Sequence, residues 1–135
     1  MNTKNSFLLF FLIVFFDQFT KYLVKASNFP TYYNYGISFG LLANSNFAKI
    51  TQTVVYLILL IVVGYLVVKK PKAKVLLTVF TLLLAGGAGN SIDRLLNNGG
   101  VIDFIRLGKL PVFNVADLSV TIGVLLFSYY ELKPK

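Results

Sequence analysis

The chain has 135 residues, of which 56% are apolar and only 13% charged, with a mean hydropathy of +0.73. A soluble domain averages roughly 45–50% apolar and about 25% charged residues, so the composition excludes a soluble domain and predicts an integral membrane protein. The net charge of +8 does not indicate nucleic-acid binding, because the basic residues are scattered between apolar stretches. With no Cys and no His, disulfides, thiol nucleophiles, His bases, haem and the usual zinc sites are excluded, and no metal or cofactor is expected.

Four apolar stretches are each close to the roughly 20 residues that a helix needs to cross a bilayer. They predict an all-α bundle of four transmembrane helices in one domain, residues 1–135, with spans at about 7–24, 52–68, 74–91 and 110–130. The first stretch follows Lys4 in the manner of a secretory signal peptide. Asp17 and Lys21 interrupt it, however, and no small-residue cleavage site follows, so we expect a first span.

Two longer segments join the spans on one side. Residues 25–51 contain Pro30, two glycines and alternating aromatic residues, which predict short strands at the membrane interface. Their aromatic residues, within 29–47, are either interface anchors or substrate contacts. Residues 95–111 are rich in Asn and Gly and contain Pro111, which predicts a loop.

Lysine crowding predicts the orientation of the bundle. One side of the four-span path carries Lys4, Lys69, Lys70, Lys72, Lys74, Lys133 and Lys135. The other side has Lys25, Lys49, Arg106 and Lys109, spread over much longer segments. Because cytoplasmic loops carry an excess of Lys and Arg, we expect both termini in the cytoplasm.

Four of the five acids lie in or beside apolar stretches: Asp17, Asp93, Asp103 and Asp117. Acids within membrane helices cost about 2.5–3.5 kcal/mol at the helix centre and are functional candidates by default. The serpentine path places Asp17, the pair Asn90 and Asp93, and the pair Asn114 and Asp117 in the outer part of the membrane. At 1.5 Å per residue, Asp117 is expected on the order of 10 Å below the outer boundary. One site near the outer surface is therefore predicted.

Helical spacing indicates which of these groups share a face. Asn90, Asp93 and Arg94 lie at i, i+3 and i+4, and Asp17 and Lys21 are four residues apart. No single helix sets the distance between Asp103 and Asp117, so a fold-back loop must bring them together. Two carboxylates that meet share a proton and activate a water for attack on an amide.

Several structural interpretations stay open on spacing alone. Asp17 and Lys21 are either a self-neutralising ion pair or part of a site, and Asp93-Arg94 is either a boundary anchor or functional. Gly86-Gly87-Ala88-Gly89 is most simply a surface for close helix packing. Asp103 is undecided, since a solvated loop is an alternative location.

Five ordered motifs resemble those of lipoprotein signal peptidase, or signal peptidase II, over nearly the whole chain. They are Asp17-Gln18-Phe19-Thr20-Lys21, Asn34-Tyr35-Gly36-Ile37-Ser38-Phe39, Gly86-Gly87-Ala88-Gly89-Asn90-Ser91-Ile92-Asp93-Arg94, Val101-Ile102-Asp103-Phe104 and Phe113-Asn114-Val115-Ala116-Asp117. The resemblance implies an aspartic endopeptidase of the bacterial cytoplasmic membrane. It implies cleavage of prolipoproteins just before a diacylglyceryl-modified cysteine.

The resemblance also implies residue roles and a fold. Asp103 and Asp117 match the catalytic pair, and the residues that match supporting or substrate-binding positions are Asp17, Lys21, Asn34, Asn90, Asp93, Arg94, Asn114 and Ala116. The implied fold adds a small extracytoplasmic β-cradle and a short outer helix or loop to the bundle. The expected partners are lipidated prolipoproteins and membrane lipids, with the enzyme acting as a monomer and without nucleic acid.

Three other functions fit the sequence less well. An ion-coupled carrier needs polar groups through the full membrane thickness, and a non-catalytic assembly factor does not explain two aspartates in separate motifs. A Ser-Lys protease lacks a Ser at helical spacing from a Lys of the outer side.

Overall fold

The computed structural model describes residues 2–35, 46–69 and 74–133. Four helices and two short strands follow one another in these ranges: α1 Thr3–Ala26, β1 Tyr32–Asn34, α2 Asn46–Lys69, α3 Lys74–Leu96, β2 Val101–Asp103 and α4 Val115–Leu132. The predicted helical architecture is confirmed, and each apolar stretch corresponds to one helix. Among the described residues, α1, α3 and α4 are long and apolar enough to cross a membrane, and α2 has the apolar segment Tyr56–Lys69.

The fourth helix begins later than the predicted span. Asn114 is extended, with φ −134° and ψ −177°, and its side chain caps the helix by accepting a hydrogen bond from the backbone N–H of Asp117. Asp117 is therefore the third residue of α4 and lies about 3 Å along the axis from the helix start. Its depth below the membrane boundary stays a prediction. The predicted boundary at 110 was wrong, because Asn114 caps the helix and the apolar residues that precede it are not helical.

The two connecting segments are only partly as predicted. Within the segment 25–51, the described residues contain one strand, β1. Residues 36–45 lie outside the described ranges, and residues 46–51 belong to α2. The segment 95–111 is not a plain loop, because it contains the end of α3 and all of β2. Residues 97–114 contain no helix, so this outer segment is a loop that includes β2.

Helix α3 is the centre of the bundle and packs against α1, α2 and α4. Small residues make this possible, since a Cβ at Gly86 would lie 2.5 Å from the carbonyl oxygen of Ala116, and one at Gly89 would lie 2.6 Å from Asp17 Oδ2. The glycine run is thus a packing surface, as predicted. Most side chains of α1 and α4 that face away from α3 are apolar and exposed, which is typical of surfaces that face lipid.

The two strands pair antiparallel at one end of the bundle. Tyr32 pairs with Asp103 and Asn34 with Val101. The sheet lies beside the C-terminal ends of α1 and α3 and the start of α4, as shown by contacts of Asp17 with Ala116 and of Asp93 with Ile102. We call this end of the bundle the site end.

Replacing Gly86 with Ala tests the close approach of α3 and α4. The added methyl group would meet the backbone of Ala116 and the side chain of Val120, so the helices must separate, at a cost of about 1–3 kcal/mol. The melting temperature of the purified protein in detergent is expected to fall. Gly64→Ala is the matched control, because its Cβ would meet only Phe80 at an ordinary 3.4 Å. Equal melting temperatures for the two variants would contradict this packing.

Candidate active site

A buried ion cluster joins α1 to α3. The ammonium group of Lys21 lies 2.7 Å from Asp17 Oδ2 and 3.0 Å from Asp93 Oδ2. Lys21 and Asp93 are each 2% exposed and Asp17 is fully buried. The local pair of Asp17 and Lys21 is therefore part of a three-residue cluster, and the cluster spans two helices.

The two carboxylates of the cluster also accept hydrogen bonds from backbone N–H groups of other elements. The N–H of Ala116 donates to Asp17 Oδ1 at 2.8 Å, and the N–H of Ile102 donates to Asp93 Oδ2 at 2.8 Å. Ala116 directly precedes Asp117, and Ile102 directly precedes Asp103. The cluster thus fixes the backbone next to both predicted catalytic residues.

Gln18 completes the cluster, and the sequence prediction did not include it among the site residues. Its side-chain N–H₂ donates to Asp17 Oδ2, to Asp93 Oδ1 and to the carbonyl oxygen of Gly89, each at 3.1 Å. It supplies donors to two anions that share a single cation, which reduces the cost of burying them. A polar amide next to Asp17 in an apolar stretch was the available signal.

Two asparagines connect Asp103 to Asp117. The side-chain amide of Asn114 donates to Asp103 Oδ1 at 2.7 Å and to Asn90 Oδ1 at 3.1 Å. The amide of Asn90 in turn donates to Asp117 Oδ1 at 2.8 Å. The fold-back of residues 103–117 therefore places both aspartates in one hydrogen-bonded network, in which two asparagines lie between the carboxylates.

The start of α4 favours a negative charge on Asp117. Asn114 and Asp117 form a capping box, in which the backbone N–H of Asn114 donates to Asp117 Oδ2 at 3.3 Å. The carboxylate also lies in the first turn of the helix, where the helix dipole stabilises anions. Together with the side-chain amide of Asn90, which donates to Oδ1, these contacts give both carboxylate oxygens of Asp117 a hydrogen-bond donor.

Asp103 ends β2 in a more enclosed environment. It is 1% exposed, and burial together with the charge of Asp117 raises the pKa of Asp103 to about 7. Hydrogen bonds from Asn34, whose amide donates to Asp103 Oδ2 at 3.2 Å, and from Asn114 oppose this shift. An aspartate with such a pKa is able to hold a proton near neutral pH.

The remaining predicted site residues lie in the same region. Ala116 is fully buried at the start of α4. Arg94 is partly buried and interacts electrostatically with three aspartates: Asp117, Asp93 and Asp103. No group of three or more His, Cys, Asp or Glu side chains suited to a metal ion occurs in the described ranges.

A pocket of about 560 Å³ borders the ion cluster. It lies between the ends of α1 and α3, and its lining consists of Gln18, Lys21, Tyr22, Lys25, Ala26, Asp93, Leu96, Asn97 and Ile102. Neither Asp103 nor Asp117 is among these residues.

The fold and the site together define a class of protein. Apolar helices surround a polar network in which the side-chain amides of Asn114 and Asn90 donate to Asp103 and Asp117, respectively. Among the described residues, this network lies at one end of the bundle. This is a multi-pass membrane protein with two aspartates in one polar network.

Comparisons with known proteins identify the family. The family model for signal peptidase (SPase) II matches residues 9–133. Lipoprotein signal peptidases from Borrelia hermsii and Moorella thermoacetica are 35% and 36% identical, over 97% and 94% of this chain and 91% and 92% of theirs. One from Staphylococcus aureus is 33% identical over 96% of this chain and 88% of its own.

Solved structures agree with the sequence relatives. Two structures of a bacterial membrane enzyme, obtained by the in meso method, each have a TM-score of 0.79 and 31% identity. They cover 96% and 98% of this chain, and 88% and 96% of their own chains are matched. The chain belongs to the signal peptidase II family and is a membrane peptidase, which confirms the resemblance.

Replacing Lys21 with Met tests the ion cluster. The change leaves two buried carboxylates without their cation, and removal of one partner of a buried ion pair costs about 3–5 kcal/mol. The melting temperature is expected to fall, and the N–H groups of Ala116 and Ile102 are expected to exchange with deuterium faster. Lys25→Met, one turn further along α1 at an exposed position, is the control. Unchanged exchange at both N–H groups in Lys21→Met would show that the cluster does not hold these segments.

Proposed function

We propose that the protein cleaves the signal peptide from diacylglyceryl-modified prolipoproteins just before the lipidated cysteine, with Asp103 and Asp117 as the catalytic pair. The observation that carries this proposal is the network in which Asn114 and Asn90 connect the two carboxylates. Membership of the signal peptidase II family supports the same substrate class. No cofactor is required, because two aspartates suffice to activate water.

We assign Asp103 as the acid and Asp117 as the base, because Asp103 ends a strand whereas Asp117 lies in the first turn of a helix. Asp103, with its raised pKa, is protonated at rest and donates a hydrogen bond to the scissile carbonyl oxygen. Asp117 lies in the first turn of α4, where the helix dipole favours an anion, and is the partner that takes a proton from the attacking water. The tetrahedral intermediate then collapses as a proton passes to the leaving amine.

The supporting residues act by position. The cluster of Asp17, Lys21 and Asp93 holds the backbone that precedes each catalytic residue, and Asn34 orients the carboxyl group of Asp103. Arg94 supplies positive charge near the pair and is suited to bind the substrate backbone. Ala116 keeps the start of α4 small where Gly89 packs against it.

Membrane geometry explains how so small an enzyme holds its substrate. We place the site end at the outer face, because the lysines Lys4, Lys69 and Lys74 lie at the opposite end, which is expected in the cytoplasm. The acyl chains of the substrate remain in lipid while its peptide pairs in extended form with the sheet beside Asp103. A single chain contains both aspartates, so a monomer is sufficient.

Asp103→Asn and Asp117→Asn test the catalytic pair. Each change keeps the shape and hydrogen-bonding oxygen of the side chain but removes the proton chemistry, so cleavage of a lipidated precursor by purified protein is expected to fall at least about 10²-fold. Glu131→Gln, at the exposed end of α4, is the matched control and should cleave normally. Near wild-type cleavage by either aspartate variant, with the fold intact, would refute the assignment.

The pH profile tests the roles of acid and base. Because Asp103 must be protonated and its pKa is about 7, kcat/KM is expected to decrease as the pH rises above about 7. The hydrogen bond from Asn34 lowers this pKa, so Asn34→Ala should move the decrease to higher pH. A decrease that stays in place, or moves to lower pH, would contradict the assignment of Asp103 as the acid. The apparent pKa belongs to the pair, and therefore the direction of the shift is the diagnostic result.

A further inference from the structure

The chain between the two aspartates forms an ordered hairpin loop, residues 104–113. Its base is a bridge between Ile105 and Phe113, which exchange hydrogen bonds of 2.8 and 3.1 Å. Its tip is a tight turn in which the N–H of Leu110 donates to the carbonyl of Leu107 at 3.0 Å, and Gly108 has a φ of +54°. A glycine with positive φ at the first central position is typical of type II′ turns, which suit hairpins. The loop therefore presents its side chains in a defined arrangement.

The loop presents two cations and two large apolar side chains to the outside. Leu107 and Leu110 are 56% and 60% exposed, and Arg106 and Lys109 are also exposed. Within the part of the chain that the structure describes, no carboxylate forms an ion pair with either cation. The two types of side chain alternate along the loop, which is the composition of a segment that lies at a membrane surface.

The acids of the site end do not neutralise this surface. Asp17, Asp93 and Asp103 are buried, and Asp117 is partly buried within the site. The exposed charges of the described residues at this end are thus cations: Lys25, Arg106 and Lys109. An anion at the membrane surface is the complementary partner.

We propose that the hairpin loop binds the phosphate groups of anionic phospholipids, with Leu107 and Leu110 inserted among the acyl chains. Arg106 is suited to bidentate contact with a phosphodiester, and Lys109 to a charge contact. A lipid surface explains the leucines beside the cations, which a water-soluble acidic partner does not. Because the loop connects Asp103 to Asn114, bound lipid also restrains the distance between β2 and α4. The inference concerns lipid binding and does not depend on the proposed reaction.

The test uses a fluorescent reporter in the full chain. The sequence has no Trp, so Leu110→Trp places a unique indole on the loop and retains its apolar character. The protein is reconstituted into vesicles of phosphatidylcholine with about 30 mol% phosphatidylglycerol. In one preparation the phosphatidylglycerol is brominated, and in the other an equal amount of the phosphatidylcholine is brominated. Bromine quenches the indole on contact. Brominated phosphatidylglycerol is expected to quench at least about twofold more than brominated phosphatidylcholine.

Charge variants on the same reporter identify the cause. Arg106→Gln with Lys109→Gln should reduce the ratio of the two quenching values to about one. Lys4→Gln with Lys74→Gln removes equal charge at the opposite end and should leave the ratio unchanged. Both leaflets of such vesicles have the same composition, so the direction of insertion does not affect the result, and no cleavage activity is needed.

Each other outcome would overturn the proposal. Equal quenching by the two lipids in the parent would show no preference for the anion, and a ratio that persists in the Arg106 and Lys109 variant would assign the preference elsewhere. The absence of quenching would place the loop away from the bilayer and favour a soluble acidic partner. Loss of the ratio when inorganic phosphate replaces chloride at equal ionic strength would identify a site for free phosphate.

Discussion

The site end depends on one buried ammonium group. Lys21 is shared by a carboxylate of its own helix and one of α3, and burial of these charges is tolerable only because each has a partner. The remaining acceptor positions of the carboxylates bind the N–H groups of Ala116 and Ile102. Strand β2 and the start of α4 are therefore both held relative to a single charge. The positions of Asp103 and Asp117 follow from this arrangement, because each is the next residue along the chain.

The apolar remainder of the bundle makes such a cluster possible. Helix α3 approaches α4 closely at Gly86, and the absence of a side chain at Gly89 leaves room for the carboxylate of Asp17. The charged side chains of the cluster are almost completely buried, and in such an environment hydrogen bonds and ion pairs are strong. The same enclosure raises the pKa of Asp103, so the packing of the helices contributes to the chemistry proposed for the site.

Local patterns in the sequence predict much of this structure, and tertiary contacts account for what they miss. The apolar stretches predict four helices, and the i, i+4 spacing of Asp17 and Lys21 predicts their contact. The bond from Lys21 to Asp93 joins two helices, and no spacing within one helix encodes it. The bridging role of Gln18 was missed for the same reason, since its three acceptors include Gly89 and Asp93. The predicted start of α4 was too early, because a run of apolar residues does not show at which residue a helix is capped and begins. Asp103 and Asp117 lie in one network because the loop between them folds back. The sequence motifs indicate this fold-back only through the family resemblance.

The central claim is that the ion cluster holds the catalytic segments and that the two aspartates perform the chemistry. The most direct test compares Lys21→Met with a triple variant that adds Asp17→Asn and Asp93→Asn, by cleavage of a lipidated precursor per folded molecule. The neutral cluster retains side-chain oxygens that accept from Ala116 and Ile102 without leaving unpaired buried charges, and neutral replacements of buried ion clusters are often tolerated. The account predicts that Lys21→Met is nearly inactive and that the triple variant regains most of the activity. A folded triple variant as inactive as Lys21→Met would contradict it, because the charge of Lys21 would then be needed in the reaction itself.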